Sequence, residues 1–256
     1  MFNLVLVNQI ESNYLSSEIN RKISPNDAMQ NQWYDDVGHS AVEVIKAAIL
    51  TSYLSNIGRV LDLPCGHGRV LRHLRAMFPD TPIDACDLDK DGVDFCASTF
   101  GSNPIYSSED LTQVDFKNLY DLIWVGSLFS HTSMDISAKW MKHLSQFLSQ
   151  RGIIVATMIG RPGLDIHNKL PYIANEKWNQ IIIEYNKCGY GYCDYSTEEN
   201  HEYISGSYGI SLAKPSVIVN IIESIPDVRL YSFTERAWAD HQDVVVFGKP
   251  AFNAEL

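Results

Sequence analysis

Gly66 and Gly68 in VLDLPCGHGRV, Asp87 nineteen residues after the second glycine, and His131 in GSLFSHTS are the residues whose types and spacing point to chemistry. Two glycines one residue apart let the backbone turn tightly and bring bare amides close to a ligand, and the start of a following helix favours an anionic group there. An acidic side chain about twenty residues further on has the spacing of one that accepts hydrogen bonds from a ribose diol. A dinucleotide fingerprint wants a third glycine three residues after the second, and Leu71 holds that place; no GxxxxGK[ST] run for a triphosphate is present either. The pattern fits a ribose ligand without a pyrophosphate. An imidazole titrates near working pH, so His131, just past a strand, is a candidate general base; starting the next helix is an equally simple role for it.

These residues need an α/β frame. Val60, Leu61 and Leu63 form the continuous apolar run of a strand buried on both faces, and Pro64 ends it. Val70, Leu71, Leu74 and Met77 share one helical face, with Pro79 as a stop. PIDACDLD reads as the second strand, Val93 to Phe100 as a short helix, PIYSS as the third strand and YDLIWVG as the fourth. The spacing of Ile136, Trp140, Met141, Leu144, Phe147 and Leu148 predicts a helix capped by Gly152, followed by a fifth strand, IIVATMI. Ser24 with Asp27, and Ser40 with Glu43, have capping-box spacing and predict two helices ahead of the first strand.

The glycine-rich stretch resembles motif I of class I S-adenosylmethionine-dependent methyltransferases, with Asp62, Gly66 and Gly68 at the positions of the family's acidic residue and glycines, and Pro64 where many members have glycine. More narrowly, VLDLPCGHGRVLRHLRAMFP, IDACDLDKDGVDFC, YDLIWVGSLFSH and GIIVATMIGR look like one bacterial subgroup, closely over residues 58–161. The resemblance implies a Rossmann-like, seven-stranded, mostly parallel sheet with helices on both faces, the last strand antiparallel and an insertion after strand five. It implies S-adenosylmethionine as cofactor and methyl transfer as the reaction. By position, Cys65 to Gly68 would offer amides to the methionine end and Leu88 would pack on the adenine. Ser107 or Ser108, with Ser108 preferred here, would stand near the register of the family's adenine-contacting acid. Ile159 stands where the subgroup often has histidine.

The expected organisation is an N-terminal helical segment over 1–57, a cofactor-binding core over 58–160, an inserted substrate lid over 161–214, and a C-terminal helix and β-hairpin over 215–256 that complete the sheet. Residues 161–214 are rich in Tyr, Asn and Gly, only EKWNQIIIEYNKC reads as helix, and 54 residues far exceed an ordinary α/β connection. His167, Tyr208 and His241 are candidate acceptor contacts; an exposed loop residue, a packed aromatic and a polar turn are the plain alternatives. With 256 residues, 45% of them hydrophobic, the chain can bury a sizeable core. A formal net charge of −11 argues against nucleic acid and anionic membranes as partners. Five scattered cysteines, none paired at zinc spacing, point to reduced thiols and a cytoplasmic location, with no metal expected. MFNLVLV is too short to span a membrane. The expectation is O-methylation of a small hydroxylated metabolite or sugar. The rivals are a non-catalytic cofactor-binding regulatory or docking protein and, further off, a nicotinamide-dependent oxidoreductase.

Overall fold

A computed structural model describes residues 2–195 and 208–250. Helices α1 (Phe2–Ser16) and α2 (Tyr34–Thr51) precede an alternating run of β1 (Val60–Leu63), α3 (Leu71–Met77), β2 (Ile83–Asp87), α4 (Lys90–Phe100), β3 (Asn103–Tyr106), β4 (Tyr120–Val125), α5 (Met134–Ser145) and β5 (Leu148–Met158). Then come α6 (Pro162–His167), α7 (Asn175–Cys188), β6 (Tyr190–Asp194), β7 (Gly209–Ala213), α8 (Pro215–Glu223), β8 (Arg229–Trp238) and β9 (Gln242–Gly248).

Seven strands form one sheet in the order β3-β2-β1-β4-β5-β9-β8. Neighbours from β3 to β5 are parallel, and β9 runs antiparallel to both β5 and β8. The period-2 alternation of strand side chains divides the core into two layers. Val60, Leu122, Trp124 and Val155 pack with α2 and α3, while Leu61, Leu63, Ile123, Val125 and Ile154 pack with α5 and α8. Strand order reverses between β1 and β4, so the carboxyl ends of those strands open a crevice, the usual ligand site of such sheets.

Two helix predictions are corrected. The Ser24–Asp27 pattern starts no helix: the Ser24 hydroxyl accepts from the Asn26 amide and Asp27 Oδ1 accepts from the Met29 amide, both turn geometries. Ser40 lies inside α2, and its hydroxyl accepts from the Ala239 amide. The helix preceding α2 is instead α1, whose Val7 and Ile10 join the core. Helix α5 ends at Ser145, and Gly152 is not its cap. Leu148 already pairs with Tyr120, Arg151 takes φ 72° at an irregularity in the strand, and a Cβ on Gly152 would lie 2.5 Å from the Tyr120 carbonyl oxygen. Close strand approach requires this glycine.

The segment between α2 and α1 is held by a fully buried arginine. Arg72 Nε donates to the Gly68 carbonyl, and its terminal nitrogens donate to the carbonyls of Asn20 and Lys22 and to the Tyr34 hydroxyl. The Tyr34 hydroxyl in turn donates a hydrogen bond to Asp27 Oδ2 at 2.6 Å. The chain over 17–33 is thereby strapped across the glycine loop.

Within 161–214, α7 forms as predicted, and α6 and the β6–β7 pair add structure that the polar composition hid. Ile159, Trp178, Ile181, Tyr185, Ile210 and Leu212 give it an apolar core. The Gly209 and Ser211 amides donate to the His131 and Ser130 carbonyls, docking β7 beside the end of β4.

Candidate functional site

A cavity of about 340 Å³ opens at the carboxyl ends of β1, β2 and β4. Its first wall is the stretch after β1, with Asp87 to Asp89 after β2 and Ser107 to Glu109 after β3. Ser127, Leu128, His131 and Thr132 after β4, with Tyr208, make the opposite wall, and Asn26 to Met29 of the strap roof it.

The two glycines do different work. Gly66 (φ 48°) has no atom within 4 Å of where a Cβ would stand, so it leaves space on the cavity side that a side chain would fill. At Gly68 (φ 82°) a Cβ would lie 2.4 Å from a Phe100 ring carbon, so this glycine lets α4 pack against the loop and does not line the cavity. Of the four amides expected to face the ligand, three are engaged internally. Cys65 N–H donates to the Cys86 carbonyl, Gly68 N–H to the Cys65 carbonyl, and Gly66 N–H to Asp87 Oδ2 at 2.7 Å.

Asp87 also accepts from the Asp89 amide, through Oδ1. Burial pushes its pKa up, and those amides pull the other way. Asp62 lies behind the loop, fully buried and outside the cavity lining, and neither carboxylate oxygen has a hydrogen-bond partner among the described residues. Burial, then the nearby Asp87 charge, hold its pKa well above the carboxylate range. Leu88 and Ser108 both line the cavity. His67 Nε2 and Asn26 Nδ2 each meet Asp91 Oδ2 at 2.9 Å, pinning the roof and the loop to α4.

His131 reaches the cavity with its ring stacked on Tyr208 at 4.6 Å between centroids. Its Nδ1 lies 2.7 Å from the Gly209 carbonyl oxygen, which can only accept. Nδ1 therefore carries the proton of the neutral ring and Nε2 its basic lone pair. His167 and His241 are not brought to this cavity. His167 is buried, stacked on Trp178 at 3.9 Å, and accepts from the Tyr172 amide; His241 packs edge-on against the same Tyr172. Burial lowers the pKa of both.

Several lining residues escaped sequence reasoning. Ser127 adopts φ 61°, rare for serine, and is held by a closed circuit. Its amide donates to Thr157 Oγ1, Thr157 donates to Gln242 Oε1, and Gln242 Nε2 donates to Ser127 Oγ. Trp124 and Trp238 meet edge-to-face at 5.4 Å, and Arg69 lies over Trp238. Arg69, Trp124 and Ser127 each lie in a stretch that carries the family resemblance, but nothing local to those stretches announces that they meet Trp238, Thr157 and Gln242. Among the described residues no group of three His, Cys, Asp or Glu has metal-binding geometry, and no helix is long and apolar enough to cross a membrane.

Residues 61–154 match a family described as the methyltransferase domain. No curated protein matches the chain. Among solved structures, an S-adenosylmethionine-dependent methyltransferase from Clostridium acetobutylicum is similar at 13% identity over 87% of this chain and 94% of its own, with a TM-score of 0.53. The seven-stranded sheet of this chain has the Rossmann-like methyltransferase fold. The methyltransferase CcbJ from Streptomyces caelestis shares this fold at 12% identity over 89% of this chain and 100% of its own, with a TM-score of 0.54. Magnesium protoporphyrin IX methyltransferase from Synechocystis, solved with bound S-adenosylhomocysteine, does so at 13% identity over 97% and 96%, with a TM-score of 0.52. In the methyltransferase fold the crevice between β1 and β4 is the place where this chain gathers Gly66, Asp87 and His131.

Proposed function

We propose that the protein is an S-adenosylmethionine-dependent methyltransferase, of the bacterial subgroup its motif I resembles, acting on a hydroxyl of a small acceptor such as a sugar or another hydroxylated metabolite. The observation that carries this reading is one cavity with Asp87 and the side-chain-free Gly66 on its first wall and His131 on the other. A nucleoside fits that first wall by chemistry: an acidic side chain at the tip of β2, apolar Leu88 beside it, and Ser108 across from it. The position that a dinucleotide fold keeps for its third glycine is filled by fully buried Leu71, which disfavours a nicotinamide cofactor.

When bound, the cofactor supplies an electrophilic sulfonium methyl group. Asp87 accepts from the ribose hydroxyls, Leu88 and Ser108 flank the adenine, and Gly66 lets the loop approach closely. His131 takes the acceptor's hydroxyl proton at Nε2, its ring fixed by the Gly209 carbonyl and by Tyr208. The insertion contributes to the acceptor wall through Tyr208 and acts as the substrate cover; His167 and His241 serve its packing. Five free thiols suit a reducing compartment such as the cytoplasm.

The test is calorimetric titration with S-adenosylhomocysteine and with NAD, together with mass spectrometry of ligand retained on native purification. Binding of S-adenosylhomocysteine alone is expected. Binding of NAD alone, or of neither, overturns the reading, and cofactor binding without transfer to any acceptor favours a regulatory protein.

A further inference from the structure

Three arginines sit three residues apart, Arg69 just ahead of α3 and Arg72 and Arg75 within it, and the latter two have their guanidinium groups well supplied. Arg72 meets three carbonyls and a hydroxyl; Arg75 meets the carbonyls of Phe100, Phe78, Pro79, Thr81 and Gly101. Arg69, on the cavity wall, is different. Among the described residues its guanidinium makes no ion pair and no hydrogen bond; its one close partner is the Trp238 ring, 5.8 Å away. The carboxylate sharing its part of the cavity, Asp27, is committed to the Tyr34 hydroxyl and the Met29 amide.

A guanidinium cannot shed its proton in a protein, so desolvating one without a partner is costly, and burial accordingly depresses the Arg69 pKa. Five donors in a planar fork, facing a cavity and unmatched by the chain, fit a planar anion from outside. The position says which part of the cavity that anion occupies. Trp238 closes the β8–β9 hairpin, on the β5 side of the strand reversal, together with Ser127 and His131; Asp87 and Leu88 lie on the other side of β1.

Resting on the methyltransferase reading, we propose that Arg69 is the anchor for a carboxylate on the acceptor, whose body lies against Trp238, so that the substrates are small hydroxylated carboxylates. The neutral parent sugars and alcohols are then poor substrates.

The experiment compares carboxylates with their uncharged amides: 4-hydroxybenzoate with 4-hydroxybenzamide, mandelate with mandelamide, and glucuronate with glucuronamide. Each is titrated onto protein saturated with S-adenosylhomocysteine and followed by tryptophan fluorescence. At least one carboxylate is expected to bind about tenfold or more tightly than its amide, the scale of a charge-assisted bidentate contact. Arg69→Met removes that preference and Arg69→Lys keeps part of it, while both variants retain the wild-type melting temperature within a few degrees and bind S-adenosylhomocysteine normally. No preference in any pair, or a preference that survives Arg69→Met, overturns the proposal. So does an Arg69→Met protein that loses S-adenosylhomocysteine yet still binds 5′-methylthioadenosine, because the guanidinium then serves the amino-acid end of the cofactor. If the wild type binds no S-adenosylhomocysteine, the methyltransferase reading fails by itself, and the same pairs titrated without it still decide whether Arg69 selects carboxylates.

Discussion

The Gly66 amide and the Asp87 carboxylate meet at 2.7 Å, joining the loop after β1 to the tip of β2. The residue assigned to the ribose therefore also holds the shape of the glycine loop. Asp87→Asn is expected to weaken S-adenosylhomocysteine binding about tenfold to a hundredfold, since hydrogen bonds to charged groups contribute ~1.5–3 kcal/mol. The fold survives, because burial already disfavours the charged carboxylate. Calorimetry with a parallel melting curve checks both; unchanged affinity removes Asp87 from the cofactor site.

His131→Ala is expected to lower kcat by ~10²- to 10⁴-fold, the usual contribution of a positioned base, with S-adenosylhomocysteine affinity close to wild type. The acid limb of the kcat profile disappears with it. A variant that keeps the acid limb and most of its activity points to alignment as the main source of rate, since effective molarities for well-oriented groups reach ~10⁵ to 10⁸ M.

His73 gives the fold a pH signature away from the cavity. It is buried, its Nδ1 bonds to the Tyr14 hydroxyl at 2.8 Å, and burial, with His39 and Arg72 nearby, lowers its pKa to about 4. Between about pH 6.5 and 4 the unfolded chain binds the proton that the native ring refuses, so this contribution is complete above 6.5 and is lost as pH falls toward 4. The steepest loss is about 1.4 kcal/mol per pH unit. Chemical denaturation of wild type and His73→Gln from pH 7.5 to 4 is expected to show their stability difference shrinking on acidification; a constant difference rejects the assignment. Asp243 acts with the opposite sign. Burial raises its pKa to about 6, so the fold holds a proton there that the unfolded chain releases, and Asp243→Asn loses the destabilisation that wild type gains as pH rises from about 4 to 6.

Thr157→Val keeps the shape of a fully buried side chain while removing the acceptor of the Ser127 amide and the donor to Gln242. A loss of about 1–3 kcal/mol is expected, the cost of an unsatisfied buried group. Ser127→Gly relieves the positive φ, so the double variant is expected to be less than additive in a denaturation cycle. Additive effects show that the circuit does not hold Ser127 in place.

The central strands were legible in the sequence because strands covered on both faces spell continuous apolar runs, and the glycine pair and Asp87 were legible because their spacing is a local property of one βαβ unit. Helix α5 was read too long for a physical reason: Phe147 and Leu148 continue the helical spacing of Leu144, yet Leu148 is also the first strand partner of Tyr120. The capping-box spacing at Ser24 misled because the same side chains cap turns as readily as helices. His167 and His241 were placed at the acceptor by nearness in the chain to loop segments, whereas the fold turns both toward Tyr172. The Arg69 and Trp238 side of the cavity was the least legible, being 169 residues apart in the chain and joined only by the order of the sheet.

Trp238 donates its indole proton to the Val37 carbonyl, closing the cavity wall with a contact between residues 201 positions apart, while the roof comes from the strap that Arg72 holds. The roof and that wall thus come from segments at opposite ends of the described fold, brought together only by the order of the sheet. A ligand held between strap and hairpin binds only where both are docked on the sheet, so it ties the two into one cooperative unit.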